Sequence, residues 1–102
     1  MAHYELSKAA DQDFENIFDF GIDRFGLSQA MDYQNGLKKQ FDQLAEHPVL
    51  YPAFNHILKG YRRSVYRSHS IYYKVEPSRI FIVRILGQQD VSKALLDEEI
   101  PE

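Results

Sequence analysis

At 102 residues, 44% of them hydrophobic and 26% charged, the chain has an ordinary globular composition and length enough for one domain with a modest core, which excludes global disorder. With no cysteine there are no disulfides and no thiolate chemistry, which fits a reducing cytoplasm. The formal net charge of −3 hides a division: residues 1–56 hold four Lys/Arg against nine Asp/Glu, residues 57–89 seven against one, and residues 90–102 one against five.

The chain opens on "MAHYELSKAADQDF", which has no basic region followed by an apolar one. No apolar run approaches 18 residues, so neither a signal peptide nor a membrane span is predicted and a cytoplasmic location is expected. His3 to Leu6 alternates as a short strand does, and Ser7 is placed to cap the helix that follows. In that helix Phe14, Ile17, Phe18, Ile22 and Phe25 recur at helical spacing, with Asp11, Asp13 and Glu15 near the positive end of its dipole. Gly26 stops it. Ser28 is the expected cap of a second helix in which Ala30, Tyr33, Leu37, Phe41 and Leu44 recur at three or four residues, ending before Pro48. So short a connection predicts an antiparallel helix hairpin.

After a loop containing Pro48 and Pro52 the spacing changes to that of strands. "YRRSVYR" (61–67), "HSIYYKV" (69–75) and "RIFIVRIL" (79–86) are rich in β-branched and aromatic residues, and "EPSR" makes a turn between the last two. Three such strands predict an antiparallel meander, with the first short segment added at an edge. The expected fold is therefore α+β in the order β, α, α, β, β, β. It is expected to form one domain over 1–102, with a short C-terminal helix or an acidic tail from about residue 96.

Strict alternation in the last strand would put Phe81, Val83 and Ile85 on one face and Ile80, Ile82, Arg84 and Leu86 on the other. The helix hairpin covers only one face of so small a sheet, so the other is expected to stay partly apolar around Arg84 or to be covered by segment 90–102. Arg62 and Arg63 are neighbours in a strand and face opposite sides. Arg67 reads equally as a rim charge or a contact. Arg84, among apolar neighbours, is the strongest candidate contact, because its face would force it to find a partner such as an Asp or Glu of a bound polypeptide.

His3, His47, His56 and His69 lack the spacing of metal ligands, and no phosphate-cradling loop or nucleophile elbow is present, so no metal or cofactor is expected. Asp11, Asp13 and Glu15 read as charges of a helix start.

In this order, "AADQDFENIFDFGIDRFG", "LAEHP", "LKGYRRSVYRSHSIYYKV" and "IFIVRILGQQD" resemble the ParE branch of the RelE/ParE toxin superfamily of bacterial toxin–antitoxin modules. Gly60-Tyr61-Arg62-Arg63, Ser68-His69, Tyr72-Tyr73 and Arg84-Ile85-Leu86 carry the resemblance most specifically, and it runs from about residue 4 to residue 95. It implies a small toxin that inhibits DNA gyrase by binding and is neutralised by a ParD-like antitoxin whose C-terminal segment wraps it. An acidic, amphipathic segment on the sheet would cover apolar residues and pair with arginines. The antitoxin contacts expected from this are Arg62, Arg63, Arg67, His69, Ile80, Ile82, Arg84 and Leu86. Exposed ion pairs add only about 0–1 kcal/mol each, so apolar anchors would have to supply most of the affinity.

The rival within the superfamily is the RelE type, a ribosome-dependent messenger-RNA endonuclease. Its chemistry calls for a converging acid–base group and cations, which RelE-type toxins draw from a C-terminal Tyr and basic residues. Here "GQQDVSKALLDEEIPE" offers only Lys93, followed by four acidic residues that repel RNA. Gly87 stands where ParE-like chains often carry His. No catalytic residue and no direct nucleic-acid binding are therefore expected, although His69 beside Arg67 keeps the ribonuclease as the alternative.

Overall fold

The computed structural model describes residues 3–49 and 60–87. β1 (Tyr4–Leu6) is followed by α1 (Lys8–Phe25), α2 (Leu27–Glu46), β2 (Tyr61–Tyr66), β3 (His69–Glu76) and β4 (Arg79–Leu86). The expected order and class hold. The expected cover by residues 90–102, Pro52, His56, Lys93 and the C-terminal helix or tail lie outside the described residues.

Ser7 turns strand into helix as its position predicts. Its hydroxyl accepts from the Ala10 amide at 3.0 Å and donates to the Val83 carbonyl at 2.7 Å. Its own amide donates to the Ile82 carbonyl at 2.8 Å. One buried serine thus caps α1 and ties it to β4. Gly26, at φ 92°, ends α1 and begins α2, a left-handed backbone that costs glycine nothing. Its carbonyl accepts from Ala30 at 3.1 Å, so α2 starts two residues earlier than expected. Ser28 is therefore not the cap, and the first turn of α2 has no side-chain cap.

The sheet runs β1-β4-β3-β2, with β1 parallel to β4 and the other pairs antiparallel. The first strand does take an edge. Arg79 binds Glu5 of β1 and Glu76 of β3, with its guanidinium 4.3 Å from the Phe81 ring centre. Leu37, Phe41, Leu44 and Ala45 of α2, with Ala10 of α1, close over Ile71, Tyr73, Ile80, Ile82 and Ile85 of the sheet. Phe41 lies between the rings of Tyr4 and Phe14, at 5.3 and 5.7 Å. Burial of these side chains is the main source of stability, about 1.5–3 kcal/mol for each large one.

Strict alternation fails in β4. Tyr72 of β3 pairs with Arg84 while Tyr73 pairs with Ile82, which leaves Val83 as the extra residue of a β-bulge. Beyond the bulge the faces exchange, so Ile80, Ile82 and Ile85 all meet the helices. Leu86 falls on the opposite face. There Leu86, Tyr72 and Tyr61 are buried too, so among the described residues that face is not left bare around Arg84, which was one of the two outcomes expected for it.

Candidate functional site

Two features bound the place where the helix hairpin parts from the sheet. The first is the end of β1. Beyond Leu6, among the described residues, no strand continues beside β4, and Asp13 of α1 fills the gap. Its carboxylate accepts from the Ile85 amide at 3.0 Å and from Arg84 through Nε at 2.8 Å and Nη2 at 2.9 Å. The two side chains are only 15% and 12% exposed. Asp13 is thus more than a helix-start charge: it replaces a strand partner and neutralises the cation that the bulge turns toward it.

The second feature is the β2–β3 turn. Tyr66 pairs with His69, leaving Arg67 and Ser68 as a two-residue loop, in which the first position favours a left-handed backbone. Arg67 adopts it at φ 53°, at a cost of about 1–2 kcal/mol for a side chain other than glycine. Its guanidinium lies 5.6 Å from the centre of the Tyr66 ring.

Tyr33 of α2 joins the helices to this turn. Its ring meets Tyr66 and His69 edge-on, at 5.2 and 5.6 Å. Its hydroxyl lies 2.7 Å from His69 Nδ1 and donates to the Tyr66 carbonyl at 3.3 Å. Both contacts are satisfied when Nδ1–H donates to the tyrosine oxygen, which leaves Nε2 as an acceptor directed toward Gly87. A Cβ on Gly87 would lie 3.6 Å from that nitrogen. Burial holds the His69 imidazole below its ordinary value of 6.5, against an upward pull from Asp13. Tyr66 reaches this position because residue 36 is glycine: a Cβ there would lie 1.8 Å from the Tyr66 hydroxyl.

These groups floor a cleft of about 590 Å³ between the hairpin's tip and the turn, walled by Phe20, Phe25 and Gln29. A smaller hollow of about 350 Å³ continues past Phe20 and His69 to Asp13 and Gly87. Phe20 and Phe25 are 57% and 64% exposed, so Phe25 does not join the buried stripe of α1 that its spacing suggested. Asp32 and Arg67 supply charge within the cleft, and Arg24 lies over Phe20 at 5.1 Å.

The expected contact residues do not form one surface. Arg67 and His69 line the cleft. Arg62 and Arg63 fall on opposite faces of β2, as alternation requires, and Arg63 donates to Ser70 at 3.2 Å. Ile80 and Ile82 lie beneath the helices, Leu86 is buried on the far face, and Arg84 has its carboxylate in Asp13. Sequence reasoning missed Phe20, Phe25, Tyr33 and Asp13. The sequence signal for the first two was a pair of phenylalanines in the last turns of α1, near the tip of the hairpin, where helical spacing no longer guarantees burial. Among the described residues no three His, Asp or Glu side chains gather as metal ligands, and no helix is long and apolar enough to cross a membrane.

Comparison with known proteins places this chain in a wider group. Residues 4–91 match the model of a family described as the ParE toxin of the type II toxin–antitoxin system parDE. The chain is 34% identical over 96 residues to Toxin ParE1 of Caulobacter vibrioides, covering 94% of this chain and 99% of that one. Among solved structures it is similar to a chain of a chromosomal ParDE system from P. aeruginosa, with a TM-score of 0.75, 19% identity, and coverage of 87% of this chain and 98% of the other. It also shares its fold with a chain of the toxin–antitoxin complex RelBE2 from Mycobacterium tuberculosis, with a TM-score of 0.57, 12% identity, and coverage of 85% and 98%.

Proposed function

The chain belongs to the ParE toxin family of type II toxin–antitoxin systems, and on that premise we propose that it inhibits DNA gyrase in the bacterial cytoplasm by binding, and is held inactive by a ParD-like antitoxin. The observation that carries the binding reading is the Arg84–Asp13 pair. Stabilising a phosphorane-like charge takes a cation free to meet it, and this guanidinium is bidentate to a carboxylate with both side chains largely buried. His69 is turned the same way, with Nδ1 committed to Tyr33.

One observation favours the ribonuclease alternative. His69 and Arg67 line the same cleft, and the imidazole keeps Nε2 as an acceptor on the side of Gly87, an atom by which a 2′-hydroxyl proton could be taken up. A supercoiling assay with purified gyrase, run beside an RNA-cleavage assay on translating ribosomes, separates the two. Loss of supercoiling with intact transcripts is the expected result; cut transcripts with unaffected gyrase would overturn it.

A further inference from the structure

We propose that the cleft at the hairpin's tip seats one bulky apolar side chain of the antitoxin's amphipathic segment, and that Arg67 fixes that segment by pairing with a neighbouring carboxylate. This rests on the reading that an antitoxin neutralises the chain. Phe20 and Phe25 line a concavity while exposing more than half their surface, and aromatic walls of this kind are suited to an inserted apolar group. A concave slot accepts a protruding chain segment that orders on binding more readily than the face of a preformed globular partner.

Charge narrows the occupant further. Arg67 and Asp32 line the cleft and Arg24 covers Phe20, while Asp13 in the adjoining hollow is neutralised by Arg84 and burial favours neutral His69. The charges that line the cleft, Arg67 and Asp32, balance, so Arg67 can meet one carboxylate while the cleft has too little positive charge to hold a polyanion. The backbone supplies the remaining argument. A left-handed turn position is occupied by a long cation where glycine would be unstrained, and strain of this kind is retained where a side chain must be aimed.

The test titrates the full-length ParD-like antitoxin of the proposed module into the wild-type protein and into Arg67→Gly and Phe25→Ser, and runs each through the gyrase supercoiling assay. Arg67→Gly is expected to raise Tm by about 2–4 °C as the turn relaxes and to weaken antitoxin binding about tenfold. Phe25→Ser is expected to weaken it by a similar factor, and both variants should inhibit gyrase within about twofold of wild type. Wild-type binding with both variants unchanged overturns the inference alone. Loss of gyrase inhibition with antitoxin affinity intact also overturns it, and assigns the cleft to gyrase. A wild-type chain that binds no antitoxin overturns the functional reading and the inference together.

Discussion

The hairpin meets the sheet differently at its two ends. Where β1 stops, polar groups are matched one to one: Ser7 bonds to both Ile82 and Val83, and Asp13 takes up Arg84 and the Ile85 amide. At the hairpin's tip Phe20 and Phe25 stand in solvent, Arg67 sits on a strained backbone, and Tyr33, Tyr66 and His69 floor a cleft. The contrast separates stability from recognition. Matched buried groups hold one arrangement of the chain, whereas exposed aromatics and backbone strain add little to the free protein and, on the inference proposed above, serve a partner.

The sharpest way to break this division is at its matched end. Asp13→Ala leaves Arg84 largely buried without its carboxylate and the Ile85 amide without an acceptor, and should cost about 3 kcal/mol in chemical denaturation. A loss below about 1 kcal/mol would mean that the pair is ornamental and the comparison unfounded. Arg84→Glu would set two carboxylates against each other, so its leading effect should also be on stability.

Gly36→Ala probes the other end from beneath. In an ordinary helix the change would gain up to about 1 kcal/mol, but here the methyl group would lie 1.8 Å from the Tyr66 hydroxyl. Displacement of Tyr66 should turn the gain into a loss of about 1–3 kcal/mol, read as a lower Tm. A raised Tm would show that the floor of the cleft is loosely packed.

A smaller effect is expected from His69. Its folded pKa lies below the ordinary 6.5 because burial disfavours the charged ring. Its contribution to stability is therefore present above pH 6.5 and is lost as pH falls through the folded value, where the folded ring must also take a proton. His69→Gln should flatten the pH dependence of Tm below pH 6.5; an unchanged slope would assign that dependence to other groups. Gly87→Ala should do least, within about 0.5 kcal/mol in a denaturation curve, because its Cβ meets His69 at ordinary van der Waals distance.

The order of elements was legible because each boundary has a local cause. Ser7 caps, Gly26 permits the left-handed turn, Pro48 follows the last turn of α2, and Pro77-Ser78 turns β3 into β4. The site was less legible because its causes are distant. Asp13 and Arg84 are 71 residues apart, and nothing beside either names the other. The bulge at Val83 lies in an unbroken apolar run with no glycine to mark it, so alternation assigned Arg84 and Leu86 to the face of Ile80 and Ile82. Arg67 and His69 were singled out from their basic, aromatic surroundings. The cleft they line, however, depends on Phe20, Phe25 and Tyr33 from the helices, and only the fold brings these together.

Chemical shifts of the isotopically labelled chain, followed as unlabelled antitoxin is added, test the division most directly. The account predicts that the Tyr33, Arg67 and His69 signals are among those that move most, while the Ser7, Asp13 and Ile85 amides stay near background. Large shifts at Ile85 and Asp13, with Arg67 and His69 unmoved, would contradict it.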